Sequence, residues 1–141
     1  MKKINLKPSP GDEKKLVLIG ISSHENDYRL VWAINKALKF NFIRSENLSV
    51  HLLKYDHIAE FSRYVYNDEE RFIKFFLISN RCPDNILFPE IKNIDFIIHV
   101  NGELFDNSLV DLLKSLRKVS VISGAYLLDP SKMKGLDRII V

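Results

Sequence analysis

A strand-to-helix junction near the start of the chain holds the residues that come closest to a catalytic set. They follow the apolar segment 16–21 and are His24, Glu25, Asp27 and Arg29. Active sites often lie where a strand gives way to a helix, and a histidine oriented by a carboxylate could act there as a general base. Acidic residues in a first helical turn also complement the helix dipole, and Arg29 could pair with Glu25. Because no recognised motif places a serine or cysteine nucleophile beside them, the structural interpretation is favoured and a small histidine–carboxylate enzyme is kept as an alternative.

The four histidines and the single cysteine lack the spacing of a metal site. They are His24, His51, His57, His99 and Cys82, and none forms an HxxxH or CxxC pair. Zinc sites use such closely spaced ligands, and a disulfide needs a second cysteine. We therefore predict no metal, no cofactor and no disulfide. We expect His99 to be hydrogen-bonded within a sheet.

The first predicted helix carries an aromatic pair on the side away from its apolar face. Ser22 and Glu25 fit a capping box that begins this helix, which is expected to run to about Lys39. With 3.6 residues per turn, one side is apolar and is formed by Leu30, Val31, Ile34, Ala37 and Leu38. Tyr28 and Trp32, four residues apart, fall on the opposite side beside Arg29.

Aromatic residues placed in this way need cover, either from the chain itself or from a partner. Tyr, Trp and Arg are the residue types that anchor protein interfaces, and exposed aromatic patches are uncommon on monomers. The N-terminal arm or the C-terminal residues 139–141 could cover the pair within the chain. In the other interpretation, Tyr28, Arg29 and Trp32 bind a protein partner or a second copy of the chain.

A predicted hairpin forms a second candidate surface. Segments 61–66 and 71–78 are strand-like and flank the polar loop 67–70. The expected cross-strand pairs are Tyr66 with Arg71, Tyr64 with Ile73, and Arg63 with Lys74. Whichever face points outward then exposes aromatic residues beside cations, so Tyr64, Tyr66 and Arg71 are candidate partner-binding residues. Such a face could also stack RNA bases, although the hairpin lacks the glycines of the RNA-recognition signature.

The apolar pattern of the chain predicts the element order β-α-β-β-β-β-α-β. Further strands are expected near 48–52, 94–100 and 119–128, and a second helix at about 107–118. Two helices and about five strands suit an α+β fold. The expected architecture is a two-layer sandwich, in which a mixed, mainly antiparallel sheet carries both helices on one face. A ferredoxin-like core with an extra hairpin is one topology of this kind.

Length and charge set further limits. A chain of 141 residues fits one domain, which we divide into a basic N-terminal arm, 1–15, and a single α+β domain, 16–141. The arm carries five lysines against two acidic residues, and the remaining 126 residues carry 16 basic and 16 acidic side chains. This neutral body argues against nucleic-acid binding as the main role. No apolar run has the roughly 18 residues of a membrane span, and no signal-peptide pattern follows the N-terminal lysines, so a cytoplasmic location is expected.

Segment 88–96 carries the most distinctive motif of the chain. It reads Phe-Pro-Glu-Ile-Lys-Asn-Ile-Asp-Phe and resembles the signature of a bacterial family known by its motif, IPExxxVDY. Pro89, Glu90 and Asp95 match, and segments 20–35 and 125–130 are similar to that family as well. The family is uncharacterised, so the resemblance implies a full-length single domain and no activity, cofactor or catalytic residue. On physical grounds we predict that the three matching residues are a structural motif, with a proline that begins a short helical turn and carboxylates that stabilise the turn.

These patterns together predict a non-enzymatic module that binds a protein partner or forms a homo-oligomer. RNA or single-stranded nucleic-acid binding through the hairpin and the basic arm is one alternative. A small enzyme that uses His24 and Glu25 is the other.

Overall fold

The computed structural model describes residues 16–52 and 56–139. In chain order its helices and strands are β1 (Val17–Ser22), α1 (Asp27–Leu38), β2 (Ile43–Arg44), β3 (Leu48–Leu52), β4 (His57–Phe61), β5 (Arg63–Asp68), β6 (Ile73–Ser79), β7 (Arg81–Cys82), β8 (Asn85–Ile86), β9 (Phe96–Asn101), α2 (Asp106–Arg117) and β10 (Gly124–Leu127). Short 3-10 turns lie at Pro89–Ile91, before β9, and at Pro130–Lys132 and Leu136–Arg138, after β10. The fold is α+β, as predicted. The predicted arm, 1–15, lies outside the described residues.

Six strands form the main sheet, in the order β10-β1-β9-β6-β5-β2. Each neighbouring pair is antiparallel. Four of them, β10-β1-β9-β6, are connected as a βαββαβ unit through α1 and α2, which is the ferredoxin-like arrangement. Strands β5 and β2 extend this unit beyond β6, so the extra hairpin strand of the expected topology, β5, lies between β6 and the short edge strand β2.

Both helices pack on one face of the sheet and form the larger hydrophobic core. From the helices this core takes Leu30, Val31, Ile34, Leu112 and Leu116. From the sheet it takes alternate residues of the central strands, among them Ile19, Ile21, Phe75, Leu77 and Ile98. Since successive side chains of a strand point to opposite faces, the residues between these must be buried on the other face or exposed.

A second hydrophobic core lies on that other face. Leu18, Ile78 and Ile97 of the main sheet are each at most 1% exposed there. They are covered by the separate β3-β4 hairpin and by later segments, which contribute Val50, Phe61, Leu87, Phe88, Met133 and Ile139. Strand β3 was expected from its alternating pattern, and it pairs with β4 as a cover rather than with the main sheet.

The start of α1 differs from the expected capping box. Ser22 is the last residue of β1, and its hydroxyl donates to the carbonyl oxygen of Asn93 at 2.9 Å. The cap is provided by Asn26, whose Oδ1 accepts a hydrogen bond from the backbone N–H of Arg29 at 3.1 Å. The strand therefore continues through Ser22, and the helix begins four residues later than the capping box indicates.

A fully buried amide connects β6 to the segment that leads into β9. Asn80 has no exposed surface. Its Nδ2 donates to the carbonyl oxygens of Ile94 (2.8 Å) and Ile91 (3.4 Å), and its Oδ1 accepts from the backbone N–H of Phe88 (2.8 Å). The side chain therefore provides partners for backbone groups that would otherwise be buried without them.

His99 is also buried, and it differs from Asn80 in its hydrogen bonding. It lies on β9 between Leu18 and Phe76 of the neighbouring strands and stacks on the Phe76 ring, with ring centroids 5.7 Å apart. Its Nδ1 has no hydrogen-bond partner among the described residues, so the expectation of a hydrogen-bonded ring is not met at this nitrogen. Burial lowers the pKa of His99 below its usual value of 6.5.

We predict that Asn80→Ala lowers the free energy of unfolding by about 2–4 kcal/mol, because several buried backbone groups lose their partner at once. Asn80→Asp keeps the size but places oxygens against carbonyl oxygens, and it is expected to be equally destabilising. Exposed Asn107 on α2 offers the matched control, Asn107→Ala. Chemical denaturation measures all three, and an Asn80→Ala variant as stable as the control would contradict the prediction.

The pKa of His99 predicts an acid-sensitive fold. The unfolded chain binds a proton at His99 as the pH falls through the usual pKa of 6.5, whereas the folded chain binds it only at a lower pH. Stability is therefore unaffected by this group above pH 6.5 and decreases below it, by at most ~1.4 kcal/mol per pH unit, until the folded chain also takes up the proton. Denaturation at neutral and mildly acidic pH should show this loss in the wild type and in His24→Asn, and a smaller loss in His99→Phe. Equal pH dependence in all three chains would refute the assignment.

Candidate interaction surface

Packing against the sheet sets the rotation of α1. Leu30 and Ile34 have no exposed surface and Val31 is 5% exposed. The helix ends at Leu38, and the left-handed backbone of the next residue, Lys39 (φ 61°), turns the chain away from the helix axis. After this turn, the side-chain amide of Asn35 donates to the carbonyl oxygen of Phe42 at 3.1 Å and accepts from its N–H at 2.9 Å. The packing fixes the helix on the sheet, and the hydrogen bonds of Asn35 fix the following segment relative to the helix.

The opposite side of α1 exposes the aromatic pair. Tyr28 is 61% exposed and Trp32 is 65% exposed. Arg29 and Lys36 are exposed on the same helix, and the Lys36 ammonium lies 4.9 Å from the centroid of the Trp32 ring. This is a cation–π contact. We call Tyr28, Arg29, Trp32 and Lys36 the aromatic face of α1.

The surroundings of the aromatic face are cationic. The only acidic residue in α1, Asp27, is paired with Arg44 of β2 at 3.3 Å. The Arg44 guanidinium also lies over the Tyr64 ring, 5.5 Å from its centroid. Exposed Lys39 adds a further positive charge at the end of the helix. The aromatic face therefore offers flat apolar rings beside cations that have no ion-pair partner among residues 16–52 and 56–139, a combination that suits a partner with acidic and apolar groups.

Within the described residues, the C-terminal segment does not cover the aromatic face. Ile139 packs in the second core, on the face of the sheet opposite the helices. Residues 140–141 and the arm, 1–15, are not described. Ile139, one of the C-terminal residues expected to cover the pair, therefore does not cover it.

Unlike the residues of the aromatic face, the candidate binding residues of the hairpin are buried, half-buried or ion-paired. Tyr64 is 8% exposed and belongs to the core under the helices, and burial raises the pKa of its hydroxyl. Tyr66 is half-buried, and its ring stacks on Phe75 with centroids 5.5 Å apart. Both rings therefore contribute to the core rather than to an exposed partner-binding or base-stacking face. Arg71 is exposed, but its Nε donates to Asp68 at 2.7 Å, which lowers the pKa of the Asp68 carboxyl.

The register of this hairpin corrects the expected pairing. Strand β5 continues through Asp68, and the loop is 69–72 rather than 67–70. The observed pairs are Tyr66 with Phe75, Tyr64 with Leu77, Arg63 with Ile78, and Asn67 with Lys74. The Asp68 carboxylate accepts from the backbone N–H of Arg71, and Phe72 takes a positive φ of 57°, so the turn forms two residues later. The unfavourable pairing of Arg63 with Lys74 does not occur.

The histidine–carboxylate alternative has an open polar depression of about 540 Å³ at the end of β1. Its lining includes Ser23, His24, Glu25, Glu60, Arg81 and Asp95. No hydrogen bond joins His24 to Glu25 or to another carboxylate in the described ranges, and Glu25 interacts through its backbone N–H with the Ser23 hydroxyl at 3.2 Å. The same ranges contain no group of three or more His, Cys, Asp or Glu side chains placed to hold a metal ion.

The motif residues bind distant backbone groups. Pro89 begins a 3-10 turn, and the Glu90 carboxylate accepts from the backbone N–H of Lys134 at 2.6 Å. Asp95 accepts from the backbone N–H of Ser23 at 2.9 Å and from Nε of Arg81 at 3.1 Å. The carboxylates thus connect this segment to the C-terminal region and to the end of β1. Sequence reasoning missed the buried Asn80 beside them, because a lone asparagine carries no periodic signal.

We predict a graded loss of stability at Asp95. Asp95→Ala removes both hydrogen bonds and should cost about 1.5–3 kcal/mol, whereas Asp95→Asn keeps an oxygen for Ser23 and should cost about half as much. Exposed Asp84 in a neighbouring loop provides the control Asp84→Asn, expected within about 0.5 kcal/mol of the wild type. Equal stability of the two Asp95 variants, measured by denaturation, would show that the Ser23 bond does not matter.

Comparison with known proteins provides no match from which a function could be inferred. No family model, curated protein or solved structure matches the chain significantly. The resemblance of segment 88–96 to the IPExxxVDY signature therefore stays a prediction. Neither helix in the described part of the chain has the length and apolar character needed to cross a membrane.

Proposed function

We propose that this chain is a cytoplasmic, non-enzymatic interaction module that binds a protein through the aromatic face of α1. The observation that carries this proposal is the division of a single helix between two environments. Leu30, Val31 and Ile34 are at most 5% exposed, while Tyr28 and Trp32 are more than 60% exposed. Exposing two adjacent large rings to water has a free-energy cost, and a partner that covers both rings would remove that cost.

The residue types on this face support a protein partner. Trp, Tyr and Arg are the side chains that most often contribute large shares of binding free energy. A stable interface buries about 800 Å² on each partner, which is more than two rings provide. The contact must therefore extend along α1 to Arg29 and Lys36, where acidic groups of the partner would pair with them.

Tyr28→Ala with Trp32→Ala is predicted to abolish association while the fold survives. Each anchor contributes about 2 kcal/mol or more, which corresponds to at least about thirty-fold in affinity for each residue. Sedimentation of the full chain over a range of concentrations detects self-association. Affinity capture of the tagged chain from its own cells, with and without nuclease, detects a different partner.

Phe72→Gly is the matched control for this experiment. Phe72 is an aromatic residue that is 88% exposed on the hairpin loop, and its positive φ suits glycine. This variant should associate like the wild type. A folded Tyr28→Ala, Trp32→Ala chain that still associates normally contradicts the proposal, as does a wild-type chain that associates with nothing. Material lost on nuclease treatment would instead support nucleic-acid binding.

A further inference from the structure

An open depression of about 870 Å³ lies beside the second core, on the side of the sheet away from the helices. Its lining includes Leu52 at the end of β3, the β7–β8 turn, Pro89 of the motif and Arg138. Leu52 and Cys82 of this lining also pack against the second core. The volume is within the range of small-molecule sites, about 300–1,000 Å³. The lining contains no residue of the aromatic face of α1.

Two arginines reach this depression, and protein acceptors fix both guanidinium groups. Nε of Arg81 donates to Asp95 at 3.1 Å, and its Nη2 donates to the carbonyl oxygen of Lys92. Nη1 of Arg138 donates to the carbonyl oxygen of Leu87 at 3.0 Å. Because a guanidinium has five N–H groups, each arginine keeps donors that have no acceptor in the described part of the chain.

The backbone beside Arg138 leaves room for its side chain. Gly135 has a positive φ of 75°, and a Cβ added there would lie 2.9 Å from Nε of Arg138. This distance is shorter than van der Waals contact, so a larger residue at this position would displace the arginine side chain. The glycine turn therefore helps to place the guanidinium at the depression.

The charges around the depression favour a ligand with a single negative charge. Asp95 balances the charge of Arg81. Arg138 has no ion-pair partner in the described ranges, and Asp84 of the lining pairs with neither arginine there. One uncompensated guanidinium matches a carboxylate. A phosphate ester carries nearly two negative charges at neutral pH and would be repelled more strongly by Asp84.

Apolar side chains form much of the remaining wall. They are Leu52, Pro83, Ile86 and Pro89. A hydrated inorganic ion gains nothing from such a wall, whereas an apolar group of a ligand is stabilised when the wall removes it from water. The lining therefore matches a molecule that combines one carboxylate with an apolar body.

We propose that this depression binds a small organic monocarboxylate. Its carboxylate accepts hydrogen bonds from Arg138, with Arg81 as the second donor, and its apolar body lies on Leu52 and Ile86. This assignment goes beyond the proposed function, because it places a ligand on the side of the protein away from α1. It also gives the motif a further role, since Pro89 is part of the wall and Asp95 orients Arg81.

NMR titration of the full chain with sodium benzoate at constant ionic strength tests this proposal. Benzamide has nearly the same shape and no charge, so it is the matched control ligand. Benzoate should shift the Nε–H signals of Arg81 and Arg138 and the amide signals of Leu52 and Ile86. The shifts should saturate with a Kd of about 10 mM or tighter. Benzamide should bind at least about ten-fold more weakly, because it lacks the charge-assisted hydrogen bonds.

Three variants separate the arginine contact from a general effect of charge. Arg138→Gln should weaken benzoate binding at least about ten-fold. Lys132 is exposed in the same C-terminal region but outside the lining, so Lys132→Gln should bind like the wild type. Asp84→Asn removes a repelling charge and should bind benzoate equally well or better. If Arg138→Gln does not fold, the comparison of benzoate with benzamide in the wild type still decides.

Four outcomes overturn the proposal. Shifts that do not saturate at these residues mean that the depression binds no such carboxylate. Equal binding of benzamide means that the arginines do not contribute, and tighter binding of inorganic phosphate means that the site takes a different anion. Shifts centred on Trp32 and Lys36 mean that benzoate binds the aromatic face instead. The chain with Tyr28→Ala and Trp32→Ala distinguishes the two proposals, because it should lose association and still bind benzoate.

Discussion

The burial of one face of α1 against the sheet is the constraint on which the functional interpretation depends. Leu30 and Ile34 are completely enclosed, and a helix cannot rotate away from such packing without opening a cavity, which would cost about 2–5 kcal/mol for each large side chain. The rotation is therefore fixed, and Tyr28 and Trp32 must point outward. The bonds between Asn35 and Phe42 hold the next segment in place, so the exposed rings stand on a rigid support.

A second set of contacts explains why the chain can keep long irregular segments beside a small sheet. Buried Asn80 provides hydrogen bonds to the backbone from Phe88 to Ile94, and Asp95 joins that segment to Ser23. The segment in turn covers the second core with Phe88 and Ile94. The carboxylates of the distinctive motif are thus engaged with backbone groups. This separates the motif, which organises the fold, from the helix that presents its aromatic side chains to solvent.

The spacing of apolar residues was sufficient to predict the features that depend on local sequence. It failed for features that depend on contacts with particular residues, many of them distant in the chain. The apolar face of α1 follows from 3.6-residue spacing, and both helices and most of the main strands were found within a few residues of their expected bounds. The last strand is an exception, because it was expected from residue 119 and begins only at Gly124, after a turn in which the N–H of Ile122 bonds to the carbonyl oxygen of Val119. The cap of α1 was wrong because Ser22 is paired in the sheet with Gly124, about a hundred residues away. The hairpin register was wrong because it depends on the Asp68–Arg71 contact and on the backbone of Phe72. The second core was missed because its cover comes from short, separate segments.

The fluorescence of Trp32, the only tryptophan of the chain, measures the central claim most directly. The emission and its quenching by a soluble quencher report on this one ring. In the dilute free chain we predict red-shifted emission that is readily quenched, followed by a blue shift and protection as the concentration rises or as the captured partner is added. A blue-shifted, protected ring in the dilute chain would show that the chain covers its own aromatic face. An exposed ring in a saturated complex would show that the partner binds elsewhere.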